Sequence, residues 1–544
     1  MYFAFWNHRK GNTMQNKKRV LIIGLDGFTW NLAAPLIEKG IMPYLGSLIE
    51  KGSSGILNSI IPFETSPAWI SFQTGCNPGK TGVFAFHTYD KTNKQVRLNS
   101  YLDIQVPTIW ELADNAGRKI ISVNMPITSP PARLEHGVIV PGLCCPGISD
   151  QTVWPKEAYS KYIEPLEGYN IVYFNPDTSD EGFVEQSIKT EQRHTQAALN
   201  IMNDIDWDIA SVQMQSTDAY QHHFWGALHD KGPDAEEKKE MIYEFYSRCD
   251  DFIKSLVEKA GDDALTILAS DHGFCDGIKT IGLNVWLRQK GYLTLLDEQP
   301  DDWWSKAKQK YPPLKSMAKH LGPMIKKDKH TPHQHIFVQQ MESHLRRMVD
   351  IEKSKAFALG GMGGILYVRD EAGNKAQLIE EIRTGLLNDF GPGSDEHVIE
   401  SIQPAEEVYG RCELDTMPDL IVNFVEGVEH RIDPLSMNDP NNKLVVYDKR
   451  FEGTHQRAGF FTAFGKDVKT GKLDCHLTDI APTILAWMGL AVPEHIDGRV
   501  LKEIFISEIS ERRQEMSGPS KDNIEYSDEE QANVENQLRN LGYM

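Results

Sequence analysis

Cysteine is scarce in this chain. There are seven in 544 residues, an odd number, with Cys144 and Cys145 adjacent and the others scattered. Such a set offers neither a disulfide framework nor metal-ligand spacing, and it points to free thiols in a reducing compartment, so the expected location is cytoplasmic. Long apolar runs are absent too. No stretch reaches about 18 apolar residues, the length a membrane-spanning helix needs. The opening MYFAFWNHRKGNTMQNKK has an apolar stretch too short for a signal sequence, with positive charge after it rather than before; Met14 is an alternative start. Basic charge is also in deficit. The formal net charge of −20 argues against non-specific binding to nucleic acid or to an anionic membrane. It leaves an anionic small molecule open, because bound cations would dominate the field inside a site. There is no internal repeat.

What is present reads as a soluble globular chain, 40% hydrophobic and 25% charged, too long for one ordinary domain. Residues 19–25 (RVLIIGL) form a short apolar run ending at Asp26-Gly27, the pattern of a strand buried on both faces. Residues 30–51 read as a helix with a kink or boundary at Pro43. Further strands are expected at 119–124, 209–213, 265–269 and 420–424, with helices at 186–203 and 235–260 among them. Alternation of this kind predicts an α/β fold: a mainly parallel central sheet with helices on both faces. Composition divides the chain into an N-terminal extension (1–18), a catalytic domain in two pieces (19–296 and 351–505), an inserted helical or irregular cap (297–350) and a charged C-terminal tail (506–544), the tail read as frayed helix and disorder.

In open α/β sheets, ligands collect outside the carboxyl ends of the strands. The polar residues placed there are Asp26, Asp218 and His222, and Asp271 and His272. His455 lies in a loop before the apolar Phe460–Phe464. All are Asp or His, the donor types of a zinc-like ion. Asp218 and His222 share one helical face. Asp271 and His272 are neighbours that both reach one ion only where the backbone turns, which Gly273 permits. Singly, each has a plainer explanation as a helix cap, a solvated helix face or a turn. Glu64-Thr65-Ser66-Pro67-Ala68-Trp69 adds a hydroxyl near a helix N-terminus, either a simple cap or a nucleophile facing a phosphate. Gly75–Thr81 (GCNPGKT) looks like a P-loop but has three residues, not four, between the first glycine and Gly-Lys.

In this order the pieces resemble the type I phosphodiesterase/nucleotide pyrophosphatase branch of the alkaline phosphatase superfamily. They are LIIGLDG (21–27), ETSPAWISFQTGCNPGKTG (64–82), STDAYQHHFW (216–225), ASDHG (269–273), LNVWL (283–287), GTHQRAGFF (453–461) and LTDIAPTILAWMGLAVPEHIDGRVL (477–501). The resemblance implies an alkaline phosphatase-like fold and two divalent metal ions, zinc or manganese. One ion would be held by Asp218, His222 and His455. The other would be held by Asp26, Asp271, His272 and the Thr65 hydroxyl. Thr65 would attack phosphorus and form a phospho-threonine intermediate. His223 is the rival ligand to His222, and Ser66 the rival nucleophile.

One departure stands out. The family's phosphoryl-binding Asn falls at Phe86, with His87 adjacent as the nearest polar substitute, and the family's trailing Asn-His after the nucleophile is Ala68-Trp69 here. The expected substrate is a small-molecule phosphate ester, most naturally a diester or pyrophosphate. A phosphomonoesterase or another esterase of the superfamily, and a non-catalytic binding protein on the same fold, are the alternatives. The C/S-x-P/A-x-R context of sulfatases is missing from 64–71. Oligomeric state is not written in the sequence.

Overall fold

The structure, a computed structural model, describes residues 17–173, 178–232, 234–296, 349–361, 363–370, 373–412, 414–430, 443–447, 453–516, 530 and 532–534. The expected cap at 297–350 falls almost wholly outside them, as does most of the 1–18 extension.

Five strands run parallel at the centre, in the order Leu265–Ala269, Val20–Leu25, Ile209–Met214, Ile120–Met125, Gly137–Pro141. Val20–Leu25 lies in the middle with every residue buried, which is why its apolar run is unbroken. On the other flank Ala458–Phe464 inserts antiparallel beside Leu265–Ala269 and pairs in turn with Ser53–Asn58, which carries two short edge strands, Gly471–Lys472 and Cys475–His476. The sheet is therefore mostly parallel, as expected, with one reversed strand inside it.

The segment read as helix at 30–51, with a kink or boundary at Pro43, is two helices, Trp30–Glu38 and Pro43–Lys51, the boundary falling just before Pro43. Gly40 takes a left-handed conformation (φ +70°) between them, and Pro43 begins the second. That second helix lacks a side-chain cap of its own. Asp250, on the helix Ala235–Ala260, accepts the N–H groups of Tyr44 and Leu45 at 2.8 Å each and caps it from outside. The other long helix, Asp180–Asp204, packs against Ala235–Ala260 and the sheet.

Leu420–Phe424 is a strand, but it belongs to a separate four-stranded antiparallel sheet, ordered Ala356–Leu359, Gly364–Val368, Leu420–Phe424, Ile399–Pro404. This sheet, the helix Lys375–Phe390 and the helix Leu283–Gln289 enclose a second hydrophobic core. A short, mostly apolar run such as LIVNF is equally compatible with a parallel or an antiparallel strand, so its residues did not separate the two. The described part of the C-terminal tail is tied down: Arg513–Gln514 pairs with Val492–Pro493, and Val534 is buried in the main core. All seven cysteines are free thiols. Among the described residues no helix is long and apolar enough to cross a membrane.

Candidate metal centre

Asp26 follows the central strand directly, and the turn after it is made by Gly27 at φ +63°. A Cβ at position 27 would lie 2.6 Å from the Phe274 ring and 3.0 Å from Asp218 Oδ1, so only glycine fits this conformation and this space. The Gly27 N–H donates to Asp271 Oδ1 at 3.1 Å. The helix Ser216–Leu228 brings Asp218 and His222 onto one face, as their spacing predicts. It is tied to the same turn: the Thr217 hydroxyl donates to Asp26 O at 2.7 Å, and Gln221 Nε2 donates to Gly27 O at 2.8 Å. At its start the Ser216 N–H donates to the buried carboxylate of Glu191 at 2.9 Å.

His455 lies on a short strand, Gly453–Gln456, rather than in a loop. That strand pairs with Gly273–Asp276, placing His455 opposite Phe274. Gly273 has an ordinary negative φ. It is required for another reason, since a Cβ there would sit 2.0 Å from the Ala458 carbonyl oxygen. Close backbone approach, not a turn, accounts for this glycine.

These elements bring all seven expected donors into one buried cluster. His222 Nε2 and His455 Nε2 face each other at 3.1 Å, and Asp218 lies 3.3 Å from His455 and 3.6 Å from His222. The rings of His455 and His272 stack at 3.6 Å. His272 Nε2 is 3.3 Å from the Thr65 hydroxyl, 3.4 Å from Asp271 Oδ2 and 3.8 Å from Asp26 Oδ1. Two sets have ligand atoms close enough to share an ion: Asp218, His222 and His455, and Asp26, Asp218 and His272. Asp218 thus stands in both, where the sequence placed it in one.

The cluster fits divalent cations on its own chemistry. Asp26 Oδ1 and Asp271 Oδ2 are buried and accept no hydrogen bond, an arrangement that is costly unless something else satisfies them. Burial, reinforced for Asp26 by Asp271 and Asp218 and for Asp271 by Asp218, pushes both carboxyls well above the usual range. Burial also raises Asp218, but His222, His455 and His272 outweigh it and hold this carboxyl low. Burial lowers the imidazoles of His272 and His222, the latter to about 4. The imidazoles of His222 and His272, held neutral by burial beside carboxylates short of partners, are the donors that such ions take.

Thr65 is the first residue of the helix Thr65–Thr74, one place inside the cap position, which Glu64 occupies. Its hydroxyl points to His272. Ser66 points the other way, donating to Ala85 O at 3.4 Å. His223 is likewise turned from the cluster, 2.8 Å from Asp180, which Lys238 also contacts at 2.9 Å. Phe86 buries its ring in the main core, while its N–H points to Glu64 Oε1 at 3.4 Å. His87 is buried at the start of the strand His87–Asp90. Position 86 therefore lies beside the Glu64-Thr65 segment without offering a polar side chain. Trp69 and Gln213, which both donate to Asp26 Oδ2, were not foreseen in that role. No motif marks a buried donor that serves a ligand instead of being one.

Asp180 yields a pH-dependent expectation. Burial raises its carboxyl, but His223 and then Lys238 outweigh burial and hold it well below the ordinary value. A depressed carboxylate stabilises the fold above its unfolded pKa of about 3.9, and the contribution is lost as pH falls toward the folded value. Denaturant unfolding of Asp180→Asn should show about 1 kcal/mol less stability at pH 7, with the gap closing in acid below about pH 4. Bound metal should be unchanged.

The family model for type I phosphodiesterase/nucleotide pyrophosphatase matches residues 20–422. The chain belongs to this family. Its members are metal-dependent hydrolases of phosphoric ester bonds, in keeping with the Asp/His cluster. Among solved structures the chain is similar to phosphonoacetate hydrolase from Sinorhizobium meliloti 1021 in complex with phosphonoformate, at 14% identity and a TM-score of 0.52, covering 86% of this chain and 94% of that one. It is similar also to human ectonucleotide pyrophosphatase/phosphodiesterase 5, at 13% identity and a TM-score of 0.50, covering 90% and 100%. At such identities the likeness concerns the fold, the alkaline phosphatase-like α/β architecture. No curated protein matches by sequence.

Proposed function

We propose that this family member hydrolyses a phosphodiester or pyrophosphate through Thr65 at a two-metal site. The observation that carries the reading is the placement of the Thr65 hydroxyl: buried, at a helix N-terminus, 3.3 Å from His272 Nε2 at the edge of the Asp/His cluster. Asp218, His222 and His455 would hold one cation, and Asp26, Asp271, His272 and Thr65 the other, with Asp218 close to both. Zinc or manganese suits imidazole and carboxylate donors. When bound, the cations supply Lewis-acid stabilisation of the attacking and leaving oxygens and a lowered hydroxyl pKa.

Thr65 Oγ1 loses its proton to solvent and bonds to phosphorus as the bond to the leaving oxygen breaks, that oxygen departing with the electron pair. Water then attacks the phospho-threonine in line, releasing the Thr65 oxygen, which regains a proton. The amides of Thr65 and Ser66 have no acceptor within their own helix and are available to a phosphoryl oxygen. With Phe86 where an amide side chain would bind the phosphoryl group, these amides carry more of that task.

The test compares matched aryl phosphate mono- and diesters with zinc or manganese present. Diester kcat/KM at least ~10-fold above monoester, about 1.4 kcal/mol in transition-state binding, supports the reading. A monoester preference moves the chain to the phosphomonoesterases.

A further inference from the structure

Asp26 is the donor most tightly managed by its surroundings. Its Oδ2 accepts the indole N–H of Trp69 at 2.7 Å and the amide of Gln213 at 2.7 Å. Those two bonds use the lone pairs of Oδ2, so only Oδ1 is left, and it faces His272 Nε2 at 3.8 Å without a hydrogen bond. Gln213 is itself fixed. Its other amide proton goes to Gln215 Oε1 at 2.9 Å, and its Oε1 accepts from Asn124 Nδ2 at 3.1 Å. Asn124 holds a left-handed conformation (φ +60°) within Ile120–Met125, one that Asn tolerates better than most residues. The strand under Asp26 is cut away to admit both donors: a Cβ on Gly24 would sit 2.7 Å from the Trp69 ring and 3.0 Å from Gln213 Cγ. Gly24, Trp69, Asn124 and Gln213, all buried and from four separate segments, converge on one carboxylate.

We propose that Trp69 and Gln213 are positioning residues that make Asp26 a one-oxygen ligand of fixed orientation and thereby set the affinity of the ion beside His272, leaving the ion beside His222 unaffected. This rests on the two-metal reading above. Neither residue touches the reacting atoms. Trp69 stands where the family has a histidine, so the residue that departs from the family pattern is here the one that steers a ligand.

Trp69→Phe removes the indole N–H and keeps an aromatic ring in the pocket. Gln213→Met keeps the length and removes the amide, and it serves if the first variant does not fold. The readout is titration of zinc into the full-length, chelator-stripped protein with a competing chromophoric chelator, which resolves two binding steps without reference to turnover. The expected result is a ~10–100-fold loss of affinity in one step, the other staying within about threefold, and kcat recovering at saturating zinc. Both steps unchanged, or both weakened equally together with lower thermal stability, overturns the proposal. A wild-type protein that binds no zinc or manganese overturns the two-metal reading itself, which separates the two failures.

Discussion

Thr65→Ala should abolish turnover while leaving the metal centre in place. The hydroxyl is one donor among seven, and its removal deletes a small group at the first position of a helix whose cap, Glu64, is untouched. On the proposed two-metal reading, chelation should therefore persist through the three carboxylates and three imidazoles. The chemistry has no comparable fallback. Ser66 donates to Ala85 O and is turned away from the cluster, so it does not substitute. Loss of the nucleophile from a covalent mechanism should lower kcat for an aryl diester by ~10³-fold or more, with metal content unchanged. Thr65→Ser should retain much of the rate, since it keeps the oxygen and loses only a methyl group. A Thr65→Ala protein within tenfold of wild type would mean that water attacks phosphorus directly.

Asp218→Asn should have the second large effect, on metal rather than on chemistry alone. Asp218 belongs to both ligand sets, 3.3 Å from His455 and within reach of Asp26 and His272. The amide keeps the shape and loses a charge and an acceptor. Affinity for both ions should fall by ~10²-fold or more, beyond the 10–100-fold typical of losing a group behind a ligand. His222→Ala, by contrast, removes a donor from one set and should weaken one binding step. Metal analysis after gel filtration distinguishes the two patterns. Loss of a single equivalent in Asp218→Asn would return Asp218 to one ion.

How much of this was legible beforehand depends on how locally each feature is encoded. Val20–Leu25, Ile209–Met214 and Leu265–Ala269 were legible because strands buried on both faces need unbroken apolar runs, and the residues of the Asp/His cluster were legible because polar groups that meet a ligand collect at the ends of such strands. Asp218 and His222 were paired by helical spacing alone. Features set by tertiary contact were not legible. Leu420–Phe424 looks like any buried strand until its antiparallel partners are known. Gly273 reads as a turn glycine, yet its need comes from the Ala458 carbonyl, far along the chain. The boundary at Pro43 was legible, but the left-handed Gly40 and the external cap from Asp250 that complete it were not. Trp69 read only as a departure from the family's Asn-His; its indole reaching Asp26 is a fact of three-dimensional placement.

The most direct measurement is peptide mapping by mass spectrometry after acid quench of the enzyme turning over an aryl phosphodiester with zinc or manganese. A phosphoryl ester adduct is expected on the peptide containing Thr65, formed and consumed on the timescale of turnover and missing from Thr65→Ala. Steady turnover with no adduct at any time point, and with Thr65→Ala still active, would contradict attack by Thr65.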